Sequence, residues 1–279
     1  MAREFYCAPD TRAAAAAAAA TGVERELLDK IASQPAGFWV GNSTDPARSQ
    51  AEVHAITSAA AAVDRIALLV VYAIPGRDAG LYSSGGVATS EYATWIDAVA
   101  AGIVGEPWVI LEPDALGQLG DGDGQGDRIG YLRYAAHALT RAGARVYLDA
   151  GNSAWRPAQT MADRLLQVGF DDAVGFALNT SNYVATDAET AYGRELSALV
   201  GGRTFVIDTS RNGNGWNGEW CNPRGRALGA RPTLVGEGSV DAHVWAKLPG
   251  ESDGEVNGGP AAGQWFGSMA LELARNAAW

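Results

Sequence analysis

Three features of the sequence predict an α/β barrel of parallel strands. Short β-type runs recur about every 30 to 40 residues, amphipathic helical segments fill the intervals, and a polar or acidic residue stands at or just past most run ends. The first two features fit an open doubly wound sheet equally well. The third favours the barrel, because barrel enzymes place their chemistry at the C-terminal ends of many strands, whereas an open sheet concentrates it at one switch point.

In chain order, the alanines at 13–20 lead into a helical pattern that ends near Ser33. The run lacks the Leu and Phe of a secretory leader, so it reads as helix and the leader as absent or removed. Strands are expected at 38–40, 66–72, 108–111, 145–148, 174–178, 204–207 and 243–246, seven in all. Helices are expected at 51–63, 91–103, 127–142, 158–168, 189–199 and 263–276. Two Gly-rich stretches, 210–238 and 248–263, are too long for simple connections and are expected to wall the site. With 279 residues and neither a Pro/Ser/Thr-rich linker nor an appended module, the chain reads as a single domain over 1–279.

The composition, 47% hydrophobic and 19% charged, is that of a folded globular chain. A net charge of −11 offers no basic surface to a phosphate backbone, which argues against nucleic acid as a partner but leaves a neutral polymer unopposed. No apolar run approaches the ~20 residues of a membrane span. Nine Trp outnumber six Phe, a ratio suited to stacking on sugar rings, although most Trp in any protein are core. Cys7 and Cys221 are too few for a disulfide framework, and whether they pair stays open.

No cofactor is expected. The segment 120–127, Gly-Asp-Gly-Asp-Gly-Gln-Gly-Asp, has the composition of a calcium loop but lacks the closing Glu of an EF-hand. His54, His137 and His243 are scattered, which disfavours a zinc site or a His-based triad. The strand-end residues remain: Asp78, Asp114, Asp149, Asn179, Asp208 and Lys247. Acetal hydrolysis needs one carboxylic acid to protonate the leaving oxygen and a second carboxylate to activate water or attack the sugar. Asp114 follows a hydrophobic run and a stiffening Pro113, a setting that would raise its pKa, although the same spacing suits an Asp capping the next helix. Arg77 and Asp78, in a Ser/Gly loop after Tyr72, read either as sugar-contacting groups or as a surface ion pair.

Read together, Phe5-Tyr, Val70-Val-Tyr, Gly76-Arg-Asp, Ser83-Ser-Gly-Gly, Glu112-Pro-Asp, Tyr147-Leu-Asp-Ala-Gly, Asn179-Thr-Ser-Asn-Tyr, Val206-Ile-Asp-Thr-Ser-Arg-Asn-Gly, Trp220-Cys-Asn-Pro and Lys247-Leu-Pro-Gly-Glu-Ser-Asp-Gly cover nearly the whole chain. In this order they resemble glycoside hydrolase family 6, the cellulase family of inverting endoglucanases and cellobiohydrolases. The resemblance implies a distorted seven-stranded TIM-like barrel acting on cellulose or cellooligosaccharide as a secreted monomer. It implies Asp114 as general acid, Asp78 as the carboxylate that raises the acid's pKa and handles water, and Asp253 as candidate base. Tyr72 would crowd the sugar at the cleavage point and Ser84 would help hold the water. Asp149, Lys247 and Glu251 would contact substrate or tune charge, and Trp39, Trp155 and Trp220 would stack on sugars, with Asn152, Asn179 and Asn182 as further binding residues.

The chain departs from the family pattern where Ala79 and the stretch Ser252-Asp-Gly-Glu stand in place of cysteines, so both expected disulfides are missing. Asn152 replaces a common His. Exo-acting members enclose substrate in a tunnel and are generally larger, so the compact length favours an open cleft and internal cleavage. A barrel that binds glucan without cleaving it is the competing class.

Overall fold

A computed structural model describes residues 3–279. The strands are β1 (Phe38–Val40), β2 (Leu68–Val71), β3 (Trp108–Leu111), β4 (Arg145–Asp149), β5 (Gly175–Leu178), β6 (Thr204–Asp208), β7 (Thr233–Glu237) and β8 (Val240–Val244). Helices α1 (Arg12–Ala19) and α2 (Gly22–Ala32) precede the sheet; α3 (Pro46–Ala62), α4 (Tyr92–Ala101), α5 (Arg128–Arg141), α6 (Ala158–Val168) and α7 (Thr186–Leu199) are the crossovers, and α8 (Gly267–Asn276) ends the chain. The sheet order is β1-β2-β3-β4-β5-β6-β8-β7, parallel throughout except for the antiparallel β7–β8 pair.

The parallel strands alternate between two cores, as a period of two requires. Leu69, Val71, Val109, Leu111, Val146, Leu148, Phe176 and Ile207 face the helices. Leu68, Val70, Ile110, Tyr147, Ala177, Val206, Ala242 and Val244 fill the inside of the curl. The floor is plugged by aromatics: Phe5 meets Trp108 edge-on at 5.3 Å, and Trp108 meets Tyr147 at 5.4 Å. Beside them Asp241 accepts from Arg145 and from the Tyr147 and Thr204 hydroxyls, closing the end of the barrel opposite the strand tips.

Strand β1 and the segment just past β8 meet at a seam without a continuous ladder. There Gly37 N–H donates to the Trp245 carbonyl at 2.7 Å, and the Trp39 indole N–H to the Ala246 carbonyl at 2.8 Å. The approach demands glycine, since a Cβ on Gly37 would lie 2.6 Å from the Ala246 carbonyl oxygen. Helices α1, α2 and α8 cover this side, where Ala13, Ala17, Leu28, Ile31, Leu273 and Trp245 form a third cluster.

The barrel and the helix positions agree with expectation, with three corrections. Among the described residues the count is eight strands rather than seven, because β7 lies within the stretch expected to be loop. The last parallel strand starts at Val240 instead of 243, because the hairpin with β7 extends it toward the floor. The expected single helix to Ser33 is two helices: Ala20 and Thr21 are extended and Gly22 has φ +55°. That break lets the alanine face fold back on α2, with Ala13 and Ala17 buried against it. Both thiols are free. Among the described residues no helix is long and apolar enough to cross a membrane.

Gly37→Ala is expected to destabilise the fold by about 1–3 kcal/mol through overpacking at the seam. Calorimetry should show the melting temperature falling by about 2–4 °C per kcal/mol.

Candidate active site

A cleft of about 1360 Å³ runs over the C-terminal ends of the strands and along the seam. Of the expected site residues, Tyr72, Asp78, Ser84, Asp114, Asn152, Trp155, Asn182, Trp220, Trp39, Lys247, Glu251 and Asp253 line it. Asp149 lies just beneath, touching the backbone of Asp114. Asn179 does not reach the cleft. Its amide donates to the Val184 and Asp208 carbonyls and accepts from Val184 N–H, so it fixes the loop after β5 rather than facing a ligand.

The loops after β2, β3 and β4 form one bank. Glu112 and Asp114 both adopt left-handed backbone, φ +51° and +68°, flanking Pro113 in a turn that aims the Asp114 side chain into the cleft. Such strain in non-glycine residues persists only where the surroundings over-determine it. Here they do: Glu112 is fully buried, accepts Ala73 and Ile74 N–H at 2.9 Å each on Oε2, and accepts the Tyr92 hydroxyl at 2.8 Å on Oε1. One side chain therefore ties the Asp114 turn to the start of the loop that carries Asp78. Buried Arg128 adds bonds to the Ala115, Pro75 and Gly76 carbonyls.

Arg77 lines the cleft but forms no ion pair with Asp78. Its guanidinium donates to the Ser83 and Gly41 carbonyls at 2.8 and 2.9 Å and lies over the Tyr72 ring, folding the Ser/Gly loop onto β2. The loop leaves Asp78 buried with Oδ2 accepting Ser83 N–H at 2.6 Å, and Ser84 exposed.

Asp114 is half-buried and has few donors: the Tyr72 hydroxyl stands 3.3 Å from Oδ2. Asp149 beneath it accepts Asp114 N–H at 3.0 Å and Gly151 N–H at 3.1 Å on Oδ2. The Thr180 hydroxyl is close enough to lower the Asp149 pKa, although neither it nor Asp149 Oδ1 completes a well-formed hydrogen bond. Burial first, then the Asp149 charge, then the Asp78 charge raise the Asp114 pKa to about 8. Asp149 is also raised by burial, but its amide donors favour its charged form, so the proton resides on Asp114. Asp149 thus outweighs Asp78 as the charge that tunes the acid.

The other bank, after β6 and β8, has the opposite electrostatics. Asp253 Oδ2 accepts the Tyr183 hydroxyl and Arg211 Nη1, both at 2.9 Å, and Asn222 N–H at 3.2 Å; Lys247 Nζ lies 3.6 Å from Oδ1. Against the cost of burial, Arg211 and then Lys247 hold this carboxyl below its ordinary range. Lys247 also sits over the Trp39 ring, which meets Tyr72 edge-on at 5.5 Å. Glu251 is half-buried, with its pKa raised by burial, 3.8 Å from Arg12.

Sequence reasoning gave no role to Glu112, Arg211, Tyr183, Asn222 or Trp216. Trp216 and Trp220 are 47% and 44% exposed on the cleft lip, and Trp220 touches Tyr82 of the opposite bank at 6.0 Å. The position of Glu112 at a strand end was visible in the sequence. Arg211 and Tyr183 act through contacts at separations of 42 and 70 residues that no local pattern reveals.

Comparison with known proteins agrees with this geometry. A family model described as Glycosyl hydrolases family 6 matches residues 1–277. Endoglucanase A of Cellulomonas fimi is 61% identical over 276 residues, covering 99% of this chain, which spans only 62% of that protein's length. Endoglucanase 1 of Streptomyces halstedii is 43% identical over 289 residues, with 98% of this chain and 89% of that protein covered. The endoglucanase Cel6 from Mycobacterium tuberculosis, solved in complex with methyl-cellobiosyl-4-deoxy-4-thio-β-D-cellobioside, superimposes with a TM-score of 0.92 at 43% identity, over 99% of this chain and 97% of that one. With a strand-end carboxylic acid poised over a second carboxylate and a family match from end to end, the chain belongs to glycosyl hydrolases family 6.

Proposed function

We propose that this chain is an endo-β-1,4-glucanase that cleaves internal bonds of cellulose-type glucans with inversion at the anomeric carbon. The observation that carries the reading is a strand-end carboxyl in the cleft, Asp114, that burial and the charges of Asp149 and Asp78 keep protonated. The endo mode is supported by the relatives named endoglucanase. A neutral polymer is not repelled by a chain of net charge −11, and as a bulky polymer it is met outside the cell, where this reading has the chain act as a monomer.

In this reading Asp114 gives its proton to the glycosidic oxygen as the bond to the anomeric carbon breaks, and water attacks that carbon from the opposite face. Tyr72, braced by Trp39 and Arg77, crowds the ring at the cleavage point. Trp39, Trp155, Trp216 and Trp220 are stacking faces, and Asn152, Asn182, Lys247 and Glu251 line the sugar path.

The proton released by the water needs an acceptor. Asp253 is a weak one, since four groups already satisfy it and its pKa is lowered. Burial raises Asp78, so its proton affinity is higher, and it lines the same cleft as Asp114 and the exposed Ser84. We therefore assign Asp78 as the acceptor, with Asp253 holding Lys247 and Arg211 in place.

Five outcomes test this reading. Asp114→Asn is expected to bind cellohexaose while losing about 100- to 10,000-fold in kcat, the range of a general acid; an NMR time course on the wild type should show the α-anomer first, and a β-anomer product would sink the mechanism. Because Asp114 works protonated and Asp78 works ionised, kcat/KM is lost as pH rises through about 8 and also falls on the acid side as Asp78, whose pKa burial raises, takes up a proton, a bell that a pH–rate profile on soluble substrate would display. Asp78→Asn should lower kcat about 100-fold or more with an unchanged melting temperature. Asp253→Asn should instead destabilise by about 3–5 kcal/mol in urea titrations, because it leaves Arg211 buried without a counter-charge.

A further inference from the structure

Helix α7 grips the loop after β4 at two points. Glu189, fully buried in the first turn of α7, accepts Ser153 N–H at 2.9 Å and the Ser153 hydroxyl at 2.6 Å, both on Oε1. One turn on, the Tyr192 hydroxyl donates to the Arg156 carbonyl at 2.8 Å. Ala154 and Trp155 lie between these anchors. Asn152 accepts Ala154 N–H on its side chain and Trp155 N–H on its carbonyl, so residues 152–155 form a tight turn that moves as a unit.

The turn sets the Trp155 ring against Gly117, where a Cβ would come within 2.4 Å of it, and against Gly151. Gly117 lies within the turn closed by the Gln118 N–H to Asp114 carbonyl bond, and Trp155 and Asp114 both line the cleft. Glu189 is costly to bury. Among the described residues no cation pairs with it, Oε2 is buried without a partner, and burial raises its pKa to about 7. An apolar residue would pack this helix more stably. Holding Ser153 accounts for a carboxyl here, and the helix N-terminus eases its charge.

We propose that Glu189 is a positioning residue for the sugar-stacking face of Trp155 in the subsite next to Asp114, an inference that rests on the glucanase reading above. It touches no substrate and acts only through Ser153 and the turn. Removing the carboxyl frees the turn and lets the ring leave its seat.

A double-mutant cycle on cellohexaose tests this. Glu189→Ala and Trp155→Ala are each expected to lower kcat/KM about 10-fold, mainly through KM, and the double variant to lower it no further, since both remove one platform. Glu189→Gln, which keeps an acceptor for Ser153, should restore activity to within about 3-fold of wild type. Losses that multiply in the double variant, or a Glu189→Ala enzyme with unchanged KM, overturn the proposal. If Glu189→Ala does not fold, Ser153→Ala takes its place in the cycle under the same criterion. The Trp155 indole N–H resonance, identified by its loss in Trp155→Ala, is expected to move in Glu189→Ala and return in Glu189→Gln. A wild type that leaves cellohexaose intact while this resonance moves defeats the glucanase reading alone. An active wild type whose resonance stays put defeats the positioning role alone.

Discussion

Two carboxyls from neighbouring strands, Asp114 and Asp149, meet where water is scarce, and only one of them can comfortably be charged. The rest of the cleft follows from how that conflict is resolved. Backbone amides of Asp114 and Gly151 solvate Asp149, while Asp114 has only a tyrosine hydroxyl near it, so the proton is driven to the residue that points outward. The amide of Asp114 itself helps stabilise the charge that keeps its own side chain neutral. Position and protonation state are thus set by the same turn.

Keeping that turn requires a scaffold of buried polar groups whose partners are mostly main chain. Glu112, Arg128 and Arg77 bind carbonyls and amides of the loops after β2 and β3, and Asp208 does the same on the far side, accepting Ser181, Ser210 and Lys247 N–H. Side chains that bond backbone do not depend on the identity of the residues they hold. This helps explain how the bank that carries Asp78 keeps its shape with Ala79 where the family resemblance leads one to expect a cysteine. The loop is pinned by the guanidinium of Arg77 on one side, and on the other the Tyr82 ring packs on Gly254.

The barrel and most of the cleft were legible in the sequence because parallel strands leave a repeated signature: an apolar run, then a polar residue where the run ends. Asp114, Asp149 and Lys247 all follow that rule. Strand β7 escaped because its residues are half-exposed and its pairing depends on β8, although Gly238-Ser239 between the two is a two-residue hairpin turn that could have been recognised. Asn179 shows the limit of the strand-end rule. It stands where a ligand-facing residue would, yet it is fully buried and both its amide N–H groups and its amide oxygen bond within the protein. Tyr183, Arg211 and Asn222 converge on Asp253 from distant segments, and only the folded chain brings them together.

The seam links catalysis to the integrity of the barrel wall. The indole that closes it, Trp39, also braces Tyr72 and lies under the Lys247 ammonium. A wall that breathes at Gly37 and Trp245 therefore does more than admit water to the interior. It tilts a recognition surface, slackens the tyrosine beside the acid and moves a cation away from Asp253, all while the helices on the outside are still packed. An opening of the seam would thus reach the recognition surface directly, through a single side chain.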